Sequence, residues 1–97
     1  MTAPPELVDS HCHLDFPDFD GELDAVIARA RAAGVTRMVT ICTRPANLPR
    51  AREIAETHDG VFFAYGIHPM SAAEVPLTSV AELVEVARHP KMVAIGE

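Results

Sequence analysis

With 97 residues, 48% of them hydrophobic and 23% charged, the chain has the make-up of a globular segment and not of a disordered one. Eight basic residues against fourteen acidic ones give a net charge of −6, which excludes a broad basic face for gripping nucleic acid. Two cysteines exclude a disulfide framework and predict a reducing, cytoplasmic setting. No stretch approaches the ~18 apolar residues of a membrane span.

The N-terminal MTAPPELVD has no basic segment followed by an apolar one, so no secretory signal is expected. After this proline-rich lead, ELVDSH (6–11) reads as a first strand. DGELDAVIARARAAG (20–34) reads as a helix, with Asp20 as N-cap, acidic Glu22 and Asp24 in the first turn, and Gly34 as the stop. Its apolar residues Leu23, Val26, Ile27 and Ala30 recur at the helical period and predict one buried stripe. TRMVTIC (36–42) is a second strand, and a second helix is expected from Asn47 to His58. Pro49 is compatible with that helix because it falls in the first turn, where a missing N–H costs little. Leu48, Ala51, Ile54 and Ala55 supply its buried face.

GVFFAYGIH (60–68) is a third strand, followed by the loop PMSAAEVPLT (69–78). A third helix opens with a capping box, Ser79 and Glu82, and presents Val80, Leu83, Val84 and Ala87 as its stripe; Pro90 closes it. MVAIGE (92–97) is a fourth strand.

Strands that are nearly continuous apolar runs, alternating with helices, predict an α/β fold with a parallel sheet covered on both faces. Two architectures fit: an open doubly wound sheet, or the first half of a (β/α)8 barrel. In both, chemistry collects at the C-terminal ends of the strands. Strand one ends in His11 and His13, strand three in His68 and strand four in Glu97. No Gly-rich phosphate loop follows strand one, which argues against a nucleotide-binding site.

The stretch LVDSHCHLD, Leu7 to Asp15, carries the sharpest signal. Strand alternation places His11 and His13 on one face with Asp9 below them, and turns Cys12 toward the helices. Two imidazoles so spaced are able to hold one divalent ion, which would offset the cost of burying polar groups. An H-x-H taken alone is a weak signal; its place at a strand end, with acids on both sides, strengthens it. Arg44, His58, His89, Phe62, Phe63 and Tyr65 have blander readings: a solvated loop arginine, helix-end histidines and core aromatics.

The motifs DSHCHLD, GIHP and AIGE, in this order and on these strands, resemble the N-terminal signatures of TatD-type metal-dependent deoxyribonucleases, a branch of the amidohydrolase-like hydrolases. The resemblance runs from Leu7 to the last residue. It implies that residues 1–97 are the N-terminal half, four strands and three helices, of a TIM-barrel domain of roughly 250 residues. It implies His11 and His13 as ligands of one metal, Glu97 as the carboxylate bridging two, and His68 as a residue near the substrate phosphate. The cofactors implied are two divalent ions, magnesium, manganese or zinc, roughly 3.5–4 Å apart. The substrate implied is DNA, cleaved at its phosphodiester bonds.

The chain departs from the pattern at Met70, where such proteins often carry a further histidine, and lacks the later ligands: histidines on strands five and six and an aspartate on strand eight. No catalytic acid or base is assigned; Asp15 is the nearest carboxylate. Two alternatives stay open, a metal hydrolase of C–N or ester bonds and a non-catalytic, truncated metal-binding fragment. Half a barrel leaves strands one and four as unpaired edges, so self-association or pairing with a C-terminal half is expected.

Overall fold

The computed structural model describes residues 5–76 and 78–96. Four strands, β1 (Leu7–Cys12), β2 (Val35–Cys42), β3 (Val61–Tyr65) and β4 (Met92–Ile95), alternate with three helices, α1 (Leu23–Ala32), α2 (Leu48–Thr57) and α3 (Val80–Ala87). The strands form one sheet in the order β1-β2-β3-β4, every pairing parallel. Each neighbouring pair is therefore joined by a helical crossover, which a parallel pair requires.

The helices cover one face of the sheet. Leu14, Leu23, Ile27, Met38, Ile54 and Val61 form one core cluster under α1 and α2, with Cys12, Val26 and Ala30 packed against it. Cys42, Ala51, Ala55, Phe63, Tyr65 and Val86 form a second under α2 and α3. The stripes expected on the first two helices are the ones that pack, and Cys12 turns toward the helices as alternation required.

The third helix departs from its expected face. Val86 is buried and Leu83 half-buried, whereas Val80, Val84 and Ala87 are exposed. A short helix crossing β3 and β4 meets the sheet along one narrow line; the spare apolar residues find nothing to cover them among the described residues. Its cap is as predicted: Glu82 N–H donates to Ser79 Oγ at 3.1 Å.

The first helix starts later than its acidic lead suggested. Asp20 closes a 3-10 turn over Pro17–Phe19, its N–H donating to Pro17 O, and Glu22 is the N-cap, with no side-chain capping bond. Gly21, at φ +80, breaks the backbone between the turn and the helix, so Asp20 does not reach the helix. Gly34 ends the helix at φ +99, as expected.

Burial holds only on the central strands, so the expected cover on both sheet faces fails at the outer ones. Leu7 and Val8 on β1 are 52% and 58% exposed, and Val93 and Ile95 on β4 are 53% and 58% exposed. The accessible surface, 6244 Å², exceeds the about 5,400 Å² of a compact monomer of this size. No helix among the described residues is long and apolar enough to cross a membrane.

Candidate functional site

The C-terminal end of β2 organises the polar rim. The carbonyls of Ile41, on β2, and Thr43, just past it, receive the two histidine segments from either side. His13, just past β1, lies with Nδ1 3.1 Å from Ile41 O. His68, three residues past β3, donates its backbone N–H to Thr43 O at 2.9 Å. Residues 28 and 25 positions apart in sequence are so brought to one edge by the parallel register.

The two imidazoles are held in opposite states. A carbonyl accepts only, so His13 Nδ1 carries the hydrogen, and in the neutral ring the lone pair is then on Nε2. A ligand histidine whose second nitrogen donates to a backbone carbonyl is the usual arrangement in metal sites. His68 Nδ1 instead accepts the N–H of Met70 at 3.0 Å, so its hydrogen sits on Nε2 and that nitrogen is a donor, suited to an anionic oxygen. His68 is the N-cap of a 3-10 turn over Pro69–Ser71 and lies outside the strand that was expected to run to it; β3 stops at Tyr65. Met70 serves through its backbone alone, its side chain being exposed.

His11 and His13 are together, ring centroids 5.2 Å apart and edge to face. The Asp9 carboxylate accepts the His11 backbone N–H at 3.1 Å. Phe16 stacks on the His13 ring at 4.5 Å, with 17° between the planes. Glu97, the expected bridging carboxylate, lies outside the described residues, and among those residues no group of three His, Cys, Asp or Glu is assembled for a metal. The donors present fit a divalent cation as two imidazoles of one site, with His13 in the correct tautomer.

Asp15 is not a catalytic base in waiting. It is 5% exposed and accepts a 2.8 Å hydrogen bond from Thr40 Oγ1. The two cysteines are buried or half-buried and free of disulfides. Burial, joined by the charge of Asp9, pushes the Cys12 thiol up to about 12, and burial does the same to Cys42.

Arg44 is the loop arginine expected, its side chain 42% exposed, but it is also tethered. Its Nη2 donates to Ser71 Oγ at 2.7 Å and lies 3.7 Å from Glu74. It thereby ties the exit of β2 to the loop that carries His68. The helix-end histidines do more than meet a dipole. His58 Nε2 lies 2.7 Å from Asp24 Oδ1, joining α2 to α1, and His89 Nε2 lies 2.8 Å from Glu56 Oε1, joining the end of α3 to α2. Phe63 and Tyr65 are core, as read. A cleft of about 450 Å³ between α1 and α2, lined by Asp24, Arg50, Glu53 and His58, holds none of the rim histidines and is bridged by the His58–Asp24 pair.

Sequence reasoning missed Thr40, Ser71 and Phe16, the residues that hold the histidines. The one signal for Thr40 was a hydroxyl between Val39 and Ile41 in an otherwise apolar stretch of β2.

Comparison with known proteins places the chain in a family. The family model described as TatD related DNase matches residues 8–97. YabD of Bacillus subtilis (strain 168), named an uncharacterized metal-dependent hydrolase, is 37% identical over 91 residues, covering 94% of this chain and 36% of YabD. A protein of Cronobacter turicensis named 3'-5' ssDNA/RNA exonuclease TatD is 36% identical over 91 residues, covering 94% of this chain and 35% of that one. The crystal structure of YJJV, a TatD homolog from Escherichia coli K12, superposes with a TM-score of 0.82 at 35% identity, covering 93% of this chain and 36% of YJJV. The chain thus spans about a third of the length of the relatives it matches, and its four strands and three helices are the first half of their TIM barrel. Matched by that family model over residues 8–97 and by these relatives over most of its length, the chain belongs to the TatD related DNase family.

Proposed function

We propose that this chain carries the strand-one and strand-three share of a divalent-metal-dependent, TatD-like deoxyribonuclease site that hydrolyses phosphodiester bonds in DNA. The observation that carries the reading is the pair of opposite tautomers on one rim: a lone pair at His13 Nε2 for a cation, a hydrogen at His68 Nε2 for a phosphate oxygen. His11 and His13 would hold one metal, Glu97 would bridge it to a second, and His68 would orient the substrate. Bound divalent ions, magnesium, manganese or zinc, would supply an activated water and charge stabilisation at the phosphoryl group. The acidic balance of the chain suits this division, because cations, not a basic surface, would meet the phosphates.

The relatives named as hydrolase and exonuclease support this reaction class. The exposed residues of β1 and β4 support a partner along both sheet edges, the remaining half of a barrel or a second copy of the chain. Two unpaired cysteines support a reducing, cytoplasmic location.

A second reading stays open beside it, that of a non-catalytic, truncated metal-binding fragment. On it, the chain binds metal without turnover. Manganese titration together with cleavage of single- and double-stranded DNA separates the two. Metal-dependent cleavage abolished by His13→Ala, and a raised KM with His68→Ala, is the expected result. Tight binding without cleavage selects the second reading, and cleavage indifferent to His13→Ala overturns the first.

A further inference from the structure

We infer that Thr40 and Asp15 are positioning residues for His13, fixing the turn that aims its cation-facing nitrogen; the inference deepens the proposed metal site and rests on that reading. The observation behind it is a gap in the ladder. Between Asp9 and Cys12 the β1–β2 register shifts: Asp9 lies opposite Met38, but Cys12 opposite Thr40, so three steps on one strand meet two on the other. A slipped ladder leaves the end of the strand without the regular pairing that would orient it. Side chains take over there. Leu14 N–H donates to Thr40 Oγ1 at 3.0 Å, and the same hydroxyl donates to Asp15 Oδ1 at 2.8 Å. One hydroxyl thus grips the two residues that follow His13.

The grip is buried and specific. Thr40 is fully buried and Asp15 is 5% exposed. Asp15 Oδ2 is buried with no hydrogen-bond partner among the described residues. A carboxylate half-satisfied in the interior is a poor choice for stability alone, because an unpaired buried polar atom costs free energy. Its place is explained by what it holds. With residues 14 and 15 pinned to β2, the chain turns back, Phe16 N–H donates to His13 O at 3.2 Å, and the Phe16 ring stacks on the imidazole. The ring, trapped between Phe16 and the Ile41 carbonyl, keeps its Nδ1 hydrogen and presents Nε2. In metal sites, loss of such outer partners lowers affinity about 10- to 100-fold.

The test uses the whole 97-residue chain with its histidine rings labelled with ¹⁵N. Ring-nitrogen shifts at a fixed, mildly alkaline pH report the tautomer, and manganese titration reports affinity. Wild type should show His13 as a single Nδ1–H tautomer. Thr40→Val and Asp15→Ala should each mix the tautomers and weaken manganese binding about tenfold. Thr40→Ser and Asp15→Asn, which keep the hydroxyl and an accepting oxygen, should restore both. If Thr40→Val does not fold, Asp15→Ala and Asp15→Asn decide, since Thr40 keeps Leu14 as a partner in both. Folded Asp15→Ala with the wild-type His13 signature overturns the inference. Wild-type chain with no manganese binding that depends on His11 and His13 overturns the metal reading instead, while the tautomer measurement still decides this one.

Discussion

The inner strands β2 and β3 and the outer strands β1 and β4 share one sheet but differ in what surrounds them. On the helix side, Met38, Thr40 and Cys42 of β2 and Val61, Phe63 and Tyr65 of β3 are buried under α1, α2 and α3. On β1 every residue from Leu7 to His11 is exposed, and β4 has only Met92 half-buried. Yet the imidazole pair sits on an outer strand, and β2 supplies the carbonyls and the hydroxyl that aim it. The covered strands act as the frame, and the edge carries the imidazole pair. A binding group is best placed where a cation and substrate approach, provided that its orientation is set by a rigid neighbour.

The sharpest way to break this contrast is to truncate one apolar residue on each side of it. Phe63→Ala, in the covered pair, should lower stability by about 3–5 kcal/mol, through lost burial and the cavity left behind. Val93→Ala, on the edge, should change it by no more than about 0.5 kcal/mol in the isolated chain. Urea denaturation compares the two directly. Equal losses would mean that a partner already covers β4 in solution, and the Val93 value would then depend on protein concentration.

The seam between β2 and β3 gives a smaller effect of a different kind. Gly60 sits at φ +79, and a Cβ there would lie 2.5 Å from the Thr36 carbonyl oxygen. Gly60→Ala should cost upwards of about 2 kcal/mol, the left-handed backbone alone accounting for about 1–2. Gly21, also left-handed, has nothing within 4 Å of its added Cβ. Gly21→Ala should therefore cost less than Gly60→Ala, and thermal melts of the pair test the order.

Loss of a helix cap comes next in size. Ser79→Ala removes the acceptor of the Glu82 N–H and should cost about 1 kcal/mol, read as a shift of the urea midpoint without a change of slope.

The least effect at neutral pH is expected from the thiols, one beside each region. Both are pushed from 9.0 up to about 12, chiefly by burial. A raised thiol pKa means that the folded state holds the proton longer than the unfolded one. The associated stability is full below about pH 9 and is lost as pH climbs from there toward 12. Iodoacetamide at pH 8 should accordingly label both cysteines far more slowly in the folded chain than in urea. Rapid labelling of native Cys42 would show that β2 is not covered as described.

Much of this was legible in the residues. Alternation put His11 and His13 on one face, and helical periodicity found the buried stripes of α1 and α2. The Ser79–Glu82 spacing announced a helix start, and strand ends collected the histidines on one rim. These are local rules of period and capping, acting over a few residues. Where a local signal misled, tertiary geometry had overridden it. Val80, Val84 and Ala87 repeat like a core stripe, but α3 meets the sheet through Leu83 and Val86. Asp20 has the chemistry of a cap, but Gly21 turns the chain before the helix begins.

The sequence alone thus determined the order of strands and helices, the parallel α/β class and the pair of imidazoles, because these follow from side-chain period and backbone preference. Only the tertiary structure decided which nitrogen of His13 bears the hydrogen. That depends on Ile41 O facing the ring. It also decided that Thr40 grips the turn after His13, that Arg44 reaches Ser71, and that His58 and His89 join neighbouring helices. The physical reason is range: most of these partners lie 26 to 34 residues apart, and only the register of a parallel sheet sets which of them meet.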